Sequence, residues 1–217
     1  MRAVVTRLLW GRALYEEVVL ARMLQARESV WISTANVKEM YVETSAGYRS
    51  LLEVFEELSR RGVALRLLHA ELPSRPFRAS FDKLRRLWSG GLELKICPRV
   101  HFKAVLVDGA WVYLGSANLT GAGLGAKGEH RRNFEAGFVT EDFDIIDQVT
   151  AQFQSIWTGA ECATCQRRDV CPDPIDNVSS VAGAKAAKPA RPAKATKPTE
   201  APRAPAKARP RPPGRPR

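Results

Sequence analysis

The chain has 217 residues, 45% of them hydrophobic, which is enough to bury the core of one domain. No apolar run reaches the roughly 18 residues of a membrane span. The formal net charge of +11 is unevenly placed: residues 178–217 hold 11 Lys/Arg and one acid, Glu200, leaving 23 basic and 22 acidic residues (34 less 11, 23 less 1) in 1–177, so the basicity belongs to the tail.

The first ten residues are interrupted by Arg7 and lack the long apolar centre of a secretory signal, so none is expected. Residues 12–26 predict a helix with Leu14, Val18, Ala21 and Leu24 on one face. Residues 30–36 read as a buried strand whose polar end, Ser33 to Asn36, can face a site at the strand tips. A second helix is expected over 45–61, on the stripe Leu51, Val54, Phe55 and Leu58, with Gly62 ending it. A short apolar strand follows at 63–68. A third helix is expected over 76–89 on Phe77, Phe81, Leu84 and Trp88, with Pro76 in its first turn and Gly90-Gly91 at its end. Residues 92–96 form the next strand, and Pro98 breaks the chain before His101.

His101 and Lys103 then stand at i and i+2, a spacing that puts both on one face of a strand. Ala104 to Val107 carry the strand into the core, Asp108-Gly109 signals a turn, and Trp111 to Leu114 return. The return ends in Gly115-Ser116-Ala117-Asn118, which brings Ser116 and Asn118 beside His101 and Lys103. One imidazole, one cation and two neutral hydrogen-bonding groups on one rim suit a phosphate diester. Residues 119–132 read as loop, 134–139 as a strand, and 143–157 as a helix on Ile146, Val149, Phe153 and Ile156. The strand–helix alternation argues for an α/β fold, and the hairpin makes its sheet mixed.

His-x-Lys-x4-Asp-x6-Gly-Ser-x-Asn, from His101 to Asn118, resembles the signature of the phospholipase D-like phosphodiesterase superfamily. The resemblance, covering residues 12–157, implies one repeat of a mixed β-sheet sandwiched between helices. Family members build one active site from two motifs. This chain has one, since His69 and His130 lack Lys at +2 and Asp at +7, so the resemblance implies a homodimer of isologous type. It also implies a two-step displacement: His101 attacks phosphorus to form a phosphohistidine, while the partner's His101 protonates the leaving alkoxide and then activates water. Lys103 and Asn118, with Ser116 behind them, would hold the non-bridging oxygens. No metal is required for this chemistry, because two lysines supply the positive charge. Glu135, 17 residues after Asn118, matches the acidic residue that orients the histidine; Asp108 and Gly115 belong to the motif structurally.

Cys162-x2-Cys165-x5-Cys171, with Cys97 upstream, is the second informative pattern. Three cysteines within ten residues suggest metal ligation rather than a disulfide framework, and with it a reducing, cytoplasmic setting. The spacing is similar to the iron–sulfur staple of certain DNA-processing nucleases of a different fold. A 4Fe-4S cluster is therefore expected, with structural zinc and disulfides or free thiols as the alternatives. Either metal would clip the segment after the last helix onto the strand before His101.

The expected organisation is a catalytic domain over 1–160, a cysteine-rich segment over 161–177 and a disordered tail over 178–217, whose nine prolines and spaced Lys/Arg offer too little apolar surface to fold. From Lys185 to Arg217 the tail suits nucleic acid as a polyanionic partner, with an anionic membrane lipid surface as the alternative. Together these features predict a metal-independent endonuclease. A phospholipase or phosphatidyl-transfer enzyme and a catalytically idle nucleic-acid-binding module are the rival readings.

Overall fold

A computed structural model describes residues 2–174; the tail, with its expected disorder and partners, lies outside the described residues. Seven strands form one sheet: β1 (Arg7–Trp10), β2 (Ser29–Thr34), β5 (Ala64–His69), β6 (Glu93–Ile96), β7 (Lys103–Val107), β8 (Trp111–Gly115) and β9 (Ala136–Thr140). β3 (Tyr41–Thr44) and β4 (Gly47–Ser50) pair separately as a small hairpin. The sheet order is β1-β9-β8-β7-β2-β5-β6. β2, β5 and β6 run parallel, and every other pair is antiparallel, so the sheet is mixed.

Helices cover both faces. A helical run, α1, starts at Arg12–Leu14, passes through the π-helical Tyr15–Arg22 and closes in the 3-10 turn Met23–Gln25. It shares one core with α2 (Leu51–Arg60) and α3 (Arg75–Phe81). α4 (Phe143–Trp157) covers the other face, packing Ile146, Val149, Phe153 and Trp157 on Leu68, Ala104, Leu106 and Val112. The period of two in β7 sorts its side chains between these layers: Val105 and Val107 enter the first core, Ala104 and Leu106 the second. All five residues of β7 are buried, which accounts for its unbroken apolar run.

Three expectations are corrected, and one strand was not foreseen. β1 escaped notice because only Leu9 of its four residues is buried. The second helix begins at Leu51, not 45, because residues 47–50 pair with 41–44 and Ser50 caps the helix by accepting from the Leu52 N–H at 3.2 Å. The third helix is broken after Phe81. Its continuation, a helical turn over Leu87–Gly91, buries Leu87 and leaves Trp88 exposed. The last strand starts at Ala136, so Phe134, expected within it, is fully exposed.

Candidate active site

The polar motif residues gather where β7 begins and β2 and β8 end. Lys103 pairs with Gly115, and Gly115 with Gly137, so one row crosses three strands at this rim. His101 precedes β7 rather than lying in it, a correction to the two-on-one-strand reading. A turn in which the Val100 N–H donates to the Cys97 carbonyl at 2.9 Å delivers it, and the Phe102 carbonyl is held by the buried Ser33 hydroxyl at 2.9 Å. The imidazole is exposed and accessible, and its side chain still meets that of Lys103.

The Lys103 ammonium donates to the His101 carbonyl at 2.5 Å and lies 3.2 Å from Nδ1 and 3.4 Å from Nε2 of the ring. Burial lowers the Lys103 pKa from its ordinary value, and the nearby Glu135 carboxylate offsets part of that shift.

Asn118 is fixed by the end of β2. Its Oδ1 accepts the N–H groups of Ala35 and Asn36, at 3.1 and 3.2 Å, and the Thr34 hydroxyl at 3.2 Å. Two backbone donors demand an oxygen, so the Nδ2 amino group is left to donate elsewhere. The polar end of β2 thus enters the site through Asn118. Ser116 donates to Glu135 Oε2 at 2.5 Å and accepts from the Ala136 N–H at 3.1 Å. Glu135 Oε1 accepts from Asn133 at 3.1 Å. Both Glu135 oxygens are therefore engaged by Ser116 and Asn133, and among the described residues no hydrogen bond joins Glu135 to His101.

Sequence reasoning missed Tyr113. Its ring crosses Gly115 and Gly137: a Cβ on Gly115 would stand 2.2 Å from the Tyr113 hydroxyl, and one on Gly137 2.4 Å from its ring. The hydroxyl accepts the Ala117 N–H at 3.3 Å and so supports the loop between Ser116 and Asn118. Burial pushes the phenol up to about 12, so it stays protonated. The detectable signal was a tyrosine two residues before the motif glycine, on the same strand face.

Asp108 lies at the far end of the hairpin. It and Gly109 both have positive φ, 54° and 62°, as a primed hairpin turn requires. Its carboxylate accepts the N–H groups of Arg27, Glu28 and Ser29, tying the turn to the start of β2. Burial alone would raise this carboxyl; the three backbone donors more than offset it and hold it below its ordinary value.

The four cysteines are free and all line one cleft, although among the described residues no three His, Cys, Asp or Glu side chains are grouped to hold a single metal ion.

The rim thus sets an accessible imidazole on a buried cation, at the sheet end where the Asn118 amide is fixed. Residues 19–157 match the family described as "Cardiolipin synthase, PLD-like domain", and the chain belongs to the phospholipase D-like phosphodiesterase superfamily. Its fold is similar to that of Nuc from Salmonella typhimurium, a phospholipase D family member, with TM-score 0.51 and 17% identity, covering 70% of this chain and 95% of that one. NucT from Helicobacter pylori is similar at TM-score 0.50 and 14% identity, with the same two coverages of 70% and 95%. Among curated proteins nothing matches.

Proposed function

We propose that the protein is a metal-independent endonuclease that cleaves nucleic-acid phosphodiester bonds in a homodimeric site. The observation that carries this reading is the His101–Lys103–Asn118 rim, held by buried strand ends and present once per chain. In the first step a His101 ring nitrogen attacks phosphorus, and the P–O bond to the leaving alkoxide breaks as the partner's His101 protonates it. In the second, the partner's His101 takes a proton from water, whose oxygen attacks phosphorus and releases the histidine. Lys103 and Asn118 Nδ2 donate to the non-bridging oxygens through both steps.

A second copy of the chain is supported by the surface beside the rim. An open cleft of ≈ 830 Å³ is lined by Trp10, Arg12, Ser116, Arg132, Phe134 and Glu135. Trp10 and Phe134 are exposed there, and an isologous contact would cover them. Nucleic acid is favoured over lipid by the charge of residues 178–217, a polycation that would bind a phosphate backbone with strong salt dependence. Among the described residues no helix is long and apolar enough to cross a membrane. The three clustered cysteines, read as metal ligands, favour a reducing, cytoplasmic setting.

The deciding experiment incubates the full chain with plasmid, RNA and phosphatidylcholine, with and without EDTA. Chelator-resistant cleavage of nucleic acid, abolished by His101→Ala, is expected. Turnover of lipid alone would replace the reading with a phosphatidyl-transfer enzyme, and turnover of nothing with a binding module.

A further inference from the structure

Four cysteines that the hydrolytic chemistry does not use come from two distant parts of the chain and meet in one place. Cys97 follows β6, while Cys162, Cys165 and Cys171 follow α4. All four line a single cleft with apolar walls from Ile96, Pro98 and Ile156.

The backbone explains the convergence of the last three. Successive turns join Cys162 N–H to the Gly159 carbonyl at 2.9 Å, Cys165 to Cys162 at 3.2 Å, Arg168 to Cys165 at 3.1 Å and Cys171 to Arg168 at 3.2 Å. These tight turns keep the three cysteines within one short segment, and all three line the same cleft as Cys97.

Ligand grouping separates the possible occupants. A tetrahedral zinc, with Zn–S near 2.3 Å, draws its sulfurs to about 3.8 Å apart. Among the described residues no three His, Cys, Asp or Glu side chains are grouped to hold a single metal ion. A cubane takes one thiolate per iron and spreads the four sulfurs to roughly 6 Å or more. We infer that Cys97, Cys162, Cys165 and Cys171 ligate a 4Fe-4S cluster that clips the segment after α4 onto the approach to His101. Each thiol gives up its proton on ligation, and iron and sulfide come from outside the chain. The clip bears on the site through one short turn. The Cys97 N–H donates to the His69 carbonyl at 2.8 Å, its carbonyl accepts from Val100, and a neighbouring cleft is lined by Cys97, His101 and Phe102.

The test purifies the full chain without oxygen or chelator and measures iron, acid-labile sulfide and zinc, with visible absorption. About four irons and four sulfides per chain are expected, directly or after anaerobic reconstitution with equal amounts of ferrous and ferric iron and sulfide. Cys165→Ser should lose most of the iron, whereas His101→Ala should keep all of it. The iron content of the His101→Ala chain therefore separates failure of the cluster from failure of the nuclease reading. About one zinc per chain, no metal after reconstitution, a disulfide between any two of the four, or full iron in Cys165→Ser would each overturn the assignment. If Cys165→Ser does not fold, reconstitution of the unaltered chain decides alone.

Discussion

The Lys103 ammonium touches both the ring and the backbone carbonyl of His101, at 3.2 Å from Nδ1 and 2.5 Å from the carbonyl oxygen. One buried cation thereby contacts the imidazole that, on the proposed reading, attacks phosphate. Lys103→Met should lower kcat about 10²–10³-fold, the loss typical of one charge-stabilising donor, and leave the fold intact. Single-turnover kinetics and a thermal melt check this together; a retained kcat would remove Lys103 from the chemistry.

The alkaline side of the pH–rate profile should report Lys103. The residue is needed charged, so activity falls as pH rises through its pKa, which burial already lowers. Glu135 opposes that lowering, so Glu135→Gln removes an anion that favours the ammonium and should move the alkaline limb to lower pH. A limb that stays in place, or moves up, would contradict the pairing.

Asn118→Asp separates binding of the fold from binding of substrate. Either oxygen of the aspartate can accept the Ala35 and Asn36 N–H groups, so the melting temperature should change little. The donor facing substrate becomes an anion, and kcat should fall about 10²–10³-fold. A large drop in stability with little loss of activity would reverse the assignment.

Tyr113 and Gly115 should be energetically coupled. Tyr113→Phe removes the bond to the Ala117 N–H and should cost about 1 kcal/mol. Gly115→Ala places a methyl against the hydroxyl and should cost about 1–3 kcal/mol through overpacking. The double variant should be less unstable than the sum, because the phenylalanine lacks the atom nearest the new methyl. Denaturant titration of all four chains closes the cycle, and strict additivity would refute the contact.

Asp108 should govern acid stability without touching catalysis. Its folded pKa is depressed, so its contribution is complete above the unfolded value, near 3.8, and is lost as pH falls through the folded one. Asp108→Asn should be less stable by about 1–2 kcal/mol at neutral pH, a small figure because the carboxylate is partly solvated. Its stability should also change less with pH below 4, approximately the range of carboxyl titration. Equal acid sensitivity in both proteins would rule out the role.

Much of this site was legible residue by residue. The spacing of His101, Lys103, Ser116 and Asn118 around a turn signal places them together because strand period and hairpin register are local rules. The fates of 45–50 and of Trp88 were not legible. Apolar spacing cannot tell a helix start from a hairpin strand that Ser50 ends, nor show that a break after Phe81 rotates Leu87 inward in place of Trp88. Tyr113 was hidden for a similar reason, since its task depends on glycines from two strands meeting beneath one ring.

The sequence by itself determined the α/β class, the motif and the three clustered cysteines, because each rests on short-range periodicity and side-chain chemistry. Only the tertiary structure decided which partners those residues take. It gave Asn118 to the end of β2, Glu135 to Ser116 and Asn133, and Cys97 to the cleft of the other three cysteines. Contacts of this kind join residues far apart in the chain. They follow from strand order and layer packing, which no local pattern encodes.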